Sequence, residues 1–194
     1  MIILISGASH TGKTALAQRL LERYQIPYLS IDLLKMGLIR SGQTSLTVRD
    51  DEALMKYLWP IVREMVKTAL ENDQSLIIEG VYIPFDWRNG FFPKEQEKIR
   101  FVCLVLSEPY IRNHFAQVKQ YANVIEKRLD DSWCSMESVL DENRKNERLC
   151  REHGCEMILI RENYLEELLE QIGRRFPYDH WLKMRIVEKH QSSE

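Results

Sequence analysis

Eight residues near the start of the chain, Gly7-Ala8-Ser9-His10-Thr11-Gly12-Lys13-Thr14, follow the pattern G-x-x-x-x-G-K-[ST] of a phosphate-binding loop. The chemistry asks for each residue type at its place. Gly7 and Gly12 permit the backbone conformations that let amide groups converge on phosphate oxygens. Lys13 supplies a point charge for the β and γ phosphates of a nucleotide, and the Thr14 hydroxyl is placed to ligate Mg²⁺. Ala8, Ser9, His10 and Thr11 complete the cradle. His10 reads as a loop residue near the phosphates rather than as a catalyst.

Other polar residues stand where apolar runs end. Asp32 follows Tyr28-Leu29-Ser30-Ile31, and ligands of open α/β sheets bind beyond the carboxyl ends of strands. Such a carboxylate can take a proton from an acceptor hydroxyl, or it can cap the helix that follows. Lys35 and Arg40 lie on that same helix and are suited to an acidic group of an acceptor, or to plain solvation. Glu79 closes the run Leu76-Ile77-Ile78 and suits a metal-supporting carboxylate. Gly80 then lets the chain turn toward Tyr82, in a stretch that either lines an acceptor pocket or packs as a loop.

Basic residues recur further on, at Arg112, Lys119, Lys127, Arg128, Arg144 and Arg148. Arginines arriving over a transferring phosphoryl group are chemically sensible, and Arg112, Arg128 and Arg144 are the candidates. Residues 108–152 hold eight basic and nine acidic side chains, so most of these charges must serve the surface or helix pairing.

The elements that must position these residues can be read from apolar spacing. Five strands are expected, at Ile2 to Ser6, Tyr28 to Ile31, Ser75 to Glu79, Arg100 to Leu106 and Glu156 to Ile160. Lys13 to Tyr24 has helical spacing directly behind the loop. Val48 to Asn72 reads as a long helix that Pro60 should kink or split. Ser138 to His153 reads as a charged helix ended by Gly154. Asn163 is placed to cap a helix, with Glu166 at the capping-box position. A final short helix is expected after Asp179. Strands alternating with helices predict an α/β fold, a parallel sheet with helices on both faces, in a single domain over 1–194. The weak apolar pattern over 108–140 marks a lid insertion.

Composition excludes some partners. The chain of 194 residues has net charge −2, which gives no electrostatic footprint for nucleic acid. No apolar run reaches the length of a membrane span, and the start lacks the basic residues of a signal peptide. Cys150 and Cys155 flank His153 and Gly154, but no second pair at metal-site spacing joins them. With Cys103 and Cys134 they read as free thiols, and the expected location is the cytoplasm. No feature sets an oligomeric state.

The loop GASHTGKT, the strand-end acid in LSIDLLK, the long helix leading to LIIEG and the lid before a last strand together resemble the P-loop small-molecule kinases. That group includes nucleoside monophosphate kinases, shikimate and gluconate kinases, and 2-phosphoglycerate kinases. The resemblance spans about residues 1–172 in layout and is specific in the loop. It implies a three-layer fold with strand order 2-3-1-4-5, ATP with Mg²⁺, a closing lid and transfer of the γ-phosphoryl group to a small-molecule hydroxyl or phosphate. Adenylate kinases carry Gly-Asp-x-Leu-Arg where this chain has Ile31-Asp32-Leu33-Leu34-Lys35. Their Asp-Gly-Phe-Pro-Arg is replaced by Glu79-Gly80-Val81-Tyr82-Ile83, and the second aspartate of shikimate kinases is missing. The competing expectation is a nucleotide-switched module or slow NTPase without a small acceptor, whose aromatic tail, Phe176 to Trp181, either docks a protein partner or packs on the sheet.

Overall fold

The apolar run behind the loop becomes the central strand of a parallel sheet, β1 (Ile2–Gly7), buried along its whole length. The computed structural model describes residues 1–121 and 134–175. In chain order the remaining elements are α1 (Lys13–Tyr24), β2 (Tyr28–Ser30), α2 (Ile31–Arg40), α3 (Asp51–Glu71), β3 (Leu76–Glu79), a 3₁₀ turn at Trp87–Gly90, α4 (Pro93–Glu97), β4 (Ile99–Leu106), α5 (Glu108–Tyr121), α6 (Met136–Glu152), β5 (Met157–Ile160) and α7 (Tyr164–Arg175). The five strands run in the order β2-β3-β1-β4-β5, and every neighbouring pair is parallel. This is the order the resemblance implied.

Side chains alternate across a strand, so β1 feeds two cores. Ile3 and Ile5 pack with Leu16, Ala17 and Leu20 of α1, Ile111 of α5 and Leu168 of α7. Ile2 and Leu4 pack on the opposite face with Leu54, Leu58, Val62 and Val66 of α3 and with Trp87. Each fully buried aliphatic side chain removes enough apolar surface from water to contribute about 1.5–3 kcal/mol. These two layers hold the strand ends, and hence the loops that follow them, in fixed relation.

The expected helix break at Pro60 does not occur, since α3 runs as one helix through it. Pro60 is exposed, as is Lys56, whose carbonyl loses the helical donor; water can satisfy that oxygen while the buried stripe keeps the helix docked. The helix also starts at Asp51 rather than Val48. Strand β2 ends at Ser30, one residue early, because Ile31 already begins α2.

Helix α6 starts ahead of the expected Ser138, where the Ser135 hydroxyl accepts from the Ser138 amide at 3.1 Å. At α7, the Glu166 amide donates to Asn163 Oδ1 at 3.3 Å, as a cap requires. The reciprocal carboxylate is Glu167, not Glu166. It accepts from the backbone amides of Arg161, Glu162 and Asn163 at 2.6–3.0 Å, because the chain folds back over the helix start. Partial burial pushes the Glu167 carboxyl up, but these amides outweigh it and hold the group below its ordinary value.

Both ends of the expected lid are helical and packed. Tyr110, Ile111 and Val118 of α5 and Val139 and Leu140 of α6 are buried in the first core. Helix α5 departs from helical geometry at His114. Residues 122–133, with Lys127 and Arg128, lie outside the described residues, as do the expected last helix and the aromatic tail from Phe176.

Candidate active site

The loop turns at Gly7 with φ +147° and again at Gly12 with φ +83°. A side chain at Gly7 would meet the Leu104 carbonyl at 2.6 Å, and one at Gly12 would meet the Tyr164 hydroxyl at 1.9 Å. Both positions therefore require glycine on steric grounds as well as backbone ones. His10 also has positive φ, at +66°, and lies buried with its Nδ1 3.9 Å from Cys134 Sγ. The Thr11 hydroxyl donates to the Ala8 carbonyl at 2.9 Å, which ties the loop to itself.

Lys13 is the first residue of α1, only 7% exposed, and its ammonium donates to the Ala8 carbonyl at 2.8 Å. It therefore lies back over the loop rather than out in water. Thr14 donates its hydroxyl to Glu79 Oε1 at 3.2 Å. Glu79 is 1% exposed and sits opposite Ile5 at the end of β3, beside the strand that feeds the loop. The first turn of α1 has no acidic residue, so its amides and positive dipole end stay available to an anion.

One anion is already there. The Ser9 amide donates to Glu142 Oε2 of α6 at 3.1 Å, so a carboxylate accepts from a loop amide. On the other side, the partly buried Tyr164 donates its hydroxyl to the Thr11 carbonyl at 3.0 Å and clamps the loop against the start of α7. Burial pushes the Tyr164 hydroxyl well above its ordinary pKa; nearby Tyr110 adds to this and Arg19 opposes it. By their chemistry, the amides of Gly7 to Thr14 with the Lys13 ammonium could hold phosphate oxygens, and Thr14 with Glu79 could hold a divalent cation.

A second group lies at the neighbouring strand ends. Ser30 of β2 is in register with Glu79 of β3, and Gly80 lets Ile31 approach so closely that an added Cβ would lie 2.9 Å from it. Asp32 stands on the first turn of α2, two residues beyond the Ser30 that is in register with Glu79. It is not the cap of that helix: Ser30 is, and its side chain makes no capping bond. Lys35 bonds to Asp32 Oδ1 and donates to the Tyr82 hydroxyl at 3.3 Å. Tyr82 in turn donates to Asp51 Oδ1, on the first turn of α3, at 3.0 Å. Burial pushes the Tyr82 hydroxyl far above its usual pKa, with the charge and hydrogen bond of Asp51 and then the charge of Asp32 adding to it.

Arg40 is not part of this group. It is the last, exposed residue of α2, about 12 Å along the helix axis from Asp32. Arg112 and Arg144 are brought together, but on a carboxylate: both bond to Glu108, each at 2.7 Å, and Arg144 also lies 3.5 Å from Asp141. Arg144 and then Arg112 hold the Glu108 carboxyl below its ordinary range. They flank a cleft of about 340 Å³ with Met136, Glu137, Leu140 and Asp141. The Cys155 amide donates to the Cys150 carbonyl at 2.8 Å, and the Cys155 thiol donates to the Phe85 carbonyl at 3.3 Å. Among the described residues no group of three His, Cys, Asp or Glu side chains gathers at metal-binding spacing, and no helix is long and apolar enough to cross a membrane.

Sequence reasoning missed Asp51, Glu108, Glu142 and Tyr164. Asp51 could be read only as one of the acids opening a helix, and nothing local marks Glu142.

The sheet order and the loop can be set against known structures. A crystal structure from Chloroflexus aurantiacus, named "putative kinase", is similar over 97% of both chains, with a TM-score of 0.50 at 18% identity. Shikimate kinase from Bacteroides thetaiotaomicron is similar over 90% of this chain and 96% of its own, with a TM-score of 0.53 at 14% identity. The fold is that of the P-loop small-molecule kinases. At such identities the likeness concerns the P-loop kinase fold and not the substrate. No family model matches the sequence, and no curated protein matches it. In the P-loop kinase fold, the ends of β1, β2 and β3 converge on one edge, where the two side-chain groups described above lie.

Proposed function

We propose that the protein is an ATP-dependent kinase that transfers the γ-phosphoryl group to a hydroxyl of a small molecule. The observation that carries this reading is the adjacency of two groups at one sheet edge: Lys13 with Thr14–Glu79, and Asp32 with Lys35 and Tyr82. The first group suits the donor nucleotide. Amides of Gly7 to Thr14 cradle its phosphates, Lys13 neutralises charge on the β and γ phosphates, and Thr14 with Glu79 holds magnesium directly or through water. The second group suits the acceptor. An acceptor hydroxyl loses its proton to Asp32 while its oxygen attacks the γ-phosphorus. The bond from that phosphorus to the bridging β-phosphate oxygen breaks, and ADP leaves.

Arg112, Arg128 and Arg144 remain the arginines proposed for the transferring group. Arg112 and Arg144 must exchange Glu108 for phosphate to act, which lid closure can supply. The likeness to kinase structures supports the fold in which this chemistry is done. The four free thiols among the described residues, Cys103, Cys134, Cys150 and Cys155, support a reducing, cytoplasmic setting. The test is label transfer from γ-labelled ATP, with magnesium, to a small-molecule extract. Wild type is expected to label at least one acceptor. Asp32→Asn is expected to lower the rate by a factor of about 10² or more while nucleotide binding stays intact. Equal rates for the two proteins would remove Asp32 from the reaction.

A further inference from the structure

Glu142 belongs to neither group at the sheet edge, yet it touches the phosphate loop. Its Oε2 accepts from the Ser9 amide at 3.1 Å, in a partly buried bond that spans 133 residues of sequence. Helix α6 is fixed where it makes that contact. Asn143, the next residue and only 2% exposed, accepts from the Leu106 amide and donates to the Val139 carbonyl, each at 2.8 Å. Val139 and Leu140 are buried in the first core. The backbone that carries the carboxylate is thus anchored by packing and does not depend on the Ser9 bond.

The basic residues next to Glu142 on α6 do not neutralise it. Arg144 is bonded to Glu108 and lies near Asp141, and Lys145 is exposed. Among the described residues Glu142 has no ion-pair partner. Two carboxylates therefore bear on the loop, Glu142 through the Ser9 amide and Glu79 through the Thr14 hydroxyl, against the ammonium of Lys13. A phosphate cradle gathers donors and positive charge, and here one of its amides faces a negative group. Ser9 lies inside the loop of eight residues. A phosphate on these amides comes inside the roughly 8 Å over which physiological salt leaves charges unscreened.

We infer that Glu142 is a specificity-determining residue, which makes the loop select the magnesium complex of its nucleotide over the free triphosphate. This rests on the nucleotide half of the proposed function and adds to it. Repulsion from a fixed carboxylate is proportional to the charge of the ligand that meets it. A free triphosphate carries about −4 and its magnesium complex about −2, so the free form is penalised about twice as heavily in free energy. Glu79 stands beside Thr14, where the cation is proposed to bind, and contributes a selectivity of its own. Removing the charge of Glu142 therefore narrows the preference without abolishing it.

The experiment titrates the full chain with a non-hydrolysable ATP analogue at low salt, once with excess magnesium and once with EDTA. Wild type, Glu142→Gln and Glu142→Ala are compared by calorimetry. Glu142→Gln keeps an acceptor for the Ser9 amide and removes only the charge. It should tighten the magnesium complex about threefold to tenfold and the free analogue about tenfold to a hundredfold, the square of the first gain. The preference of wild type for the magnesium complex then narrows about threefold to tenfold, and it narrows as much in Glu142→Ala. Added salt should shrink the gap between wild type and Glu142→Gln. An equal gain in both buffers would mean that the carboxylate merely occupies the amide, and it overturns the inference. An absent gain, or weaker binding of the magnesium complex in either variant, does the same. Each of these outcomes leaves the nucleotide reading standing, whereas a wild type that binds neither form removes both.

Discussion

At the scale of single residues, the loop depends on side chains from distant parts of the chain. Gly12 is the sharpest case, because its Cβ position is filled by the Tyr164 hydroxyl and its φ is +83°. Gly12→Ala should therefore cost about 1–3 kcal/mol in strain and displace Tyr164 as well. Adding Tyr164→Phe should return part of the lost thermal stability by removing the hydroxyl, and a melting curve for the pair against each single variant checks this. If the double variant melts no higher than Gly12→Ala alone, the clamp is not where the strain lies. The loop motif was legible in the sequence since its eight residues are contiguous. Its clamp was not, because the Tyr164 hydroxyl and the Thr11 carbonyl are 153 residues apart. Asp51 was hidden for another reason: an acid in the first turn of a helix already has an ordinary explanation in the helix dipole.

At the scale of elements, α6 is the one whose role the sequence did not show. Its sequence read as a charged helix, and Val139 and Leu140 pack into the first core. The unexpected contact is Glu142, whose carboxylate sits on the Ser9 amide across 133 residues of sequence. Its neighbour Asn143 is buried and accepts from the Leu106 amide at 2.8 Å, which pins α6 to the end of β4 and fixes Glu142 in reach of the loop. On the proposed reading, an incoming triphosphate competes with that carboxylate and meets its charge. Glu142→Gln keeps the shape and removes the repulsion, so it should tighten binding of an ATP analogue about threefold to tenfold, measured by calorimetry. Weaker binding in the variant would mean that Glu142 helps the nucleotide rather than opposing it. The same helix supplies Arg144, paired with Glu108. Sequence spacing placed both arginines on helices, but it could not show that one carboxylate gathers them.

At the scale of the molecule, the sheet order and the two core layers follow from strands whose apolar runs were continuous enough to read, with ends displaced by a residue or two. The α3 helix shows what such reading lacks, since Pro60 breaks a helix by local rules and is tolerated where its missing donor faces water. Two tyrosines, Tyr82 buried and Tyr164 partly buried, set a limit on the alkaline side. Tyr82 and Tyr164 both have raised pKa values in the folded chain, while in the unfolded chain a tyrosine ionises near pH 10. The stability tied to their burial is fully present below about pH 10 and is lost as pH rises toward the folded values. Chemical denaturation should show a midpoint falling above about pH 10, with a shallower fall in Tyr82→Phe. A midpoint that stays flat there would contradict the burial of both hydroxyls. The central claim is that Gly7 to Thr14, with Lys13 as its charge, holds the donor nucleotide. Calorimetric titration of Mg-ATP into wild type and Lys13→Ala tests it most directly. The account predicts binding by wild type and a loss of at least about tenfold in the variant; equal affinities would contradict it.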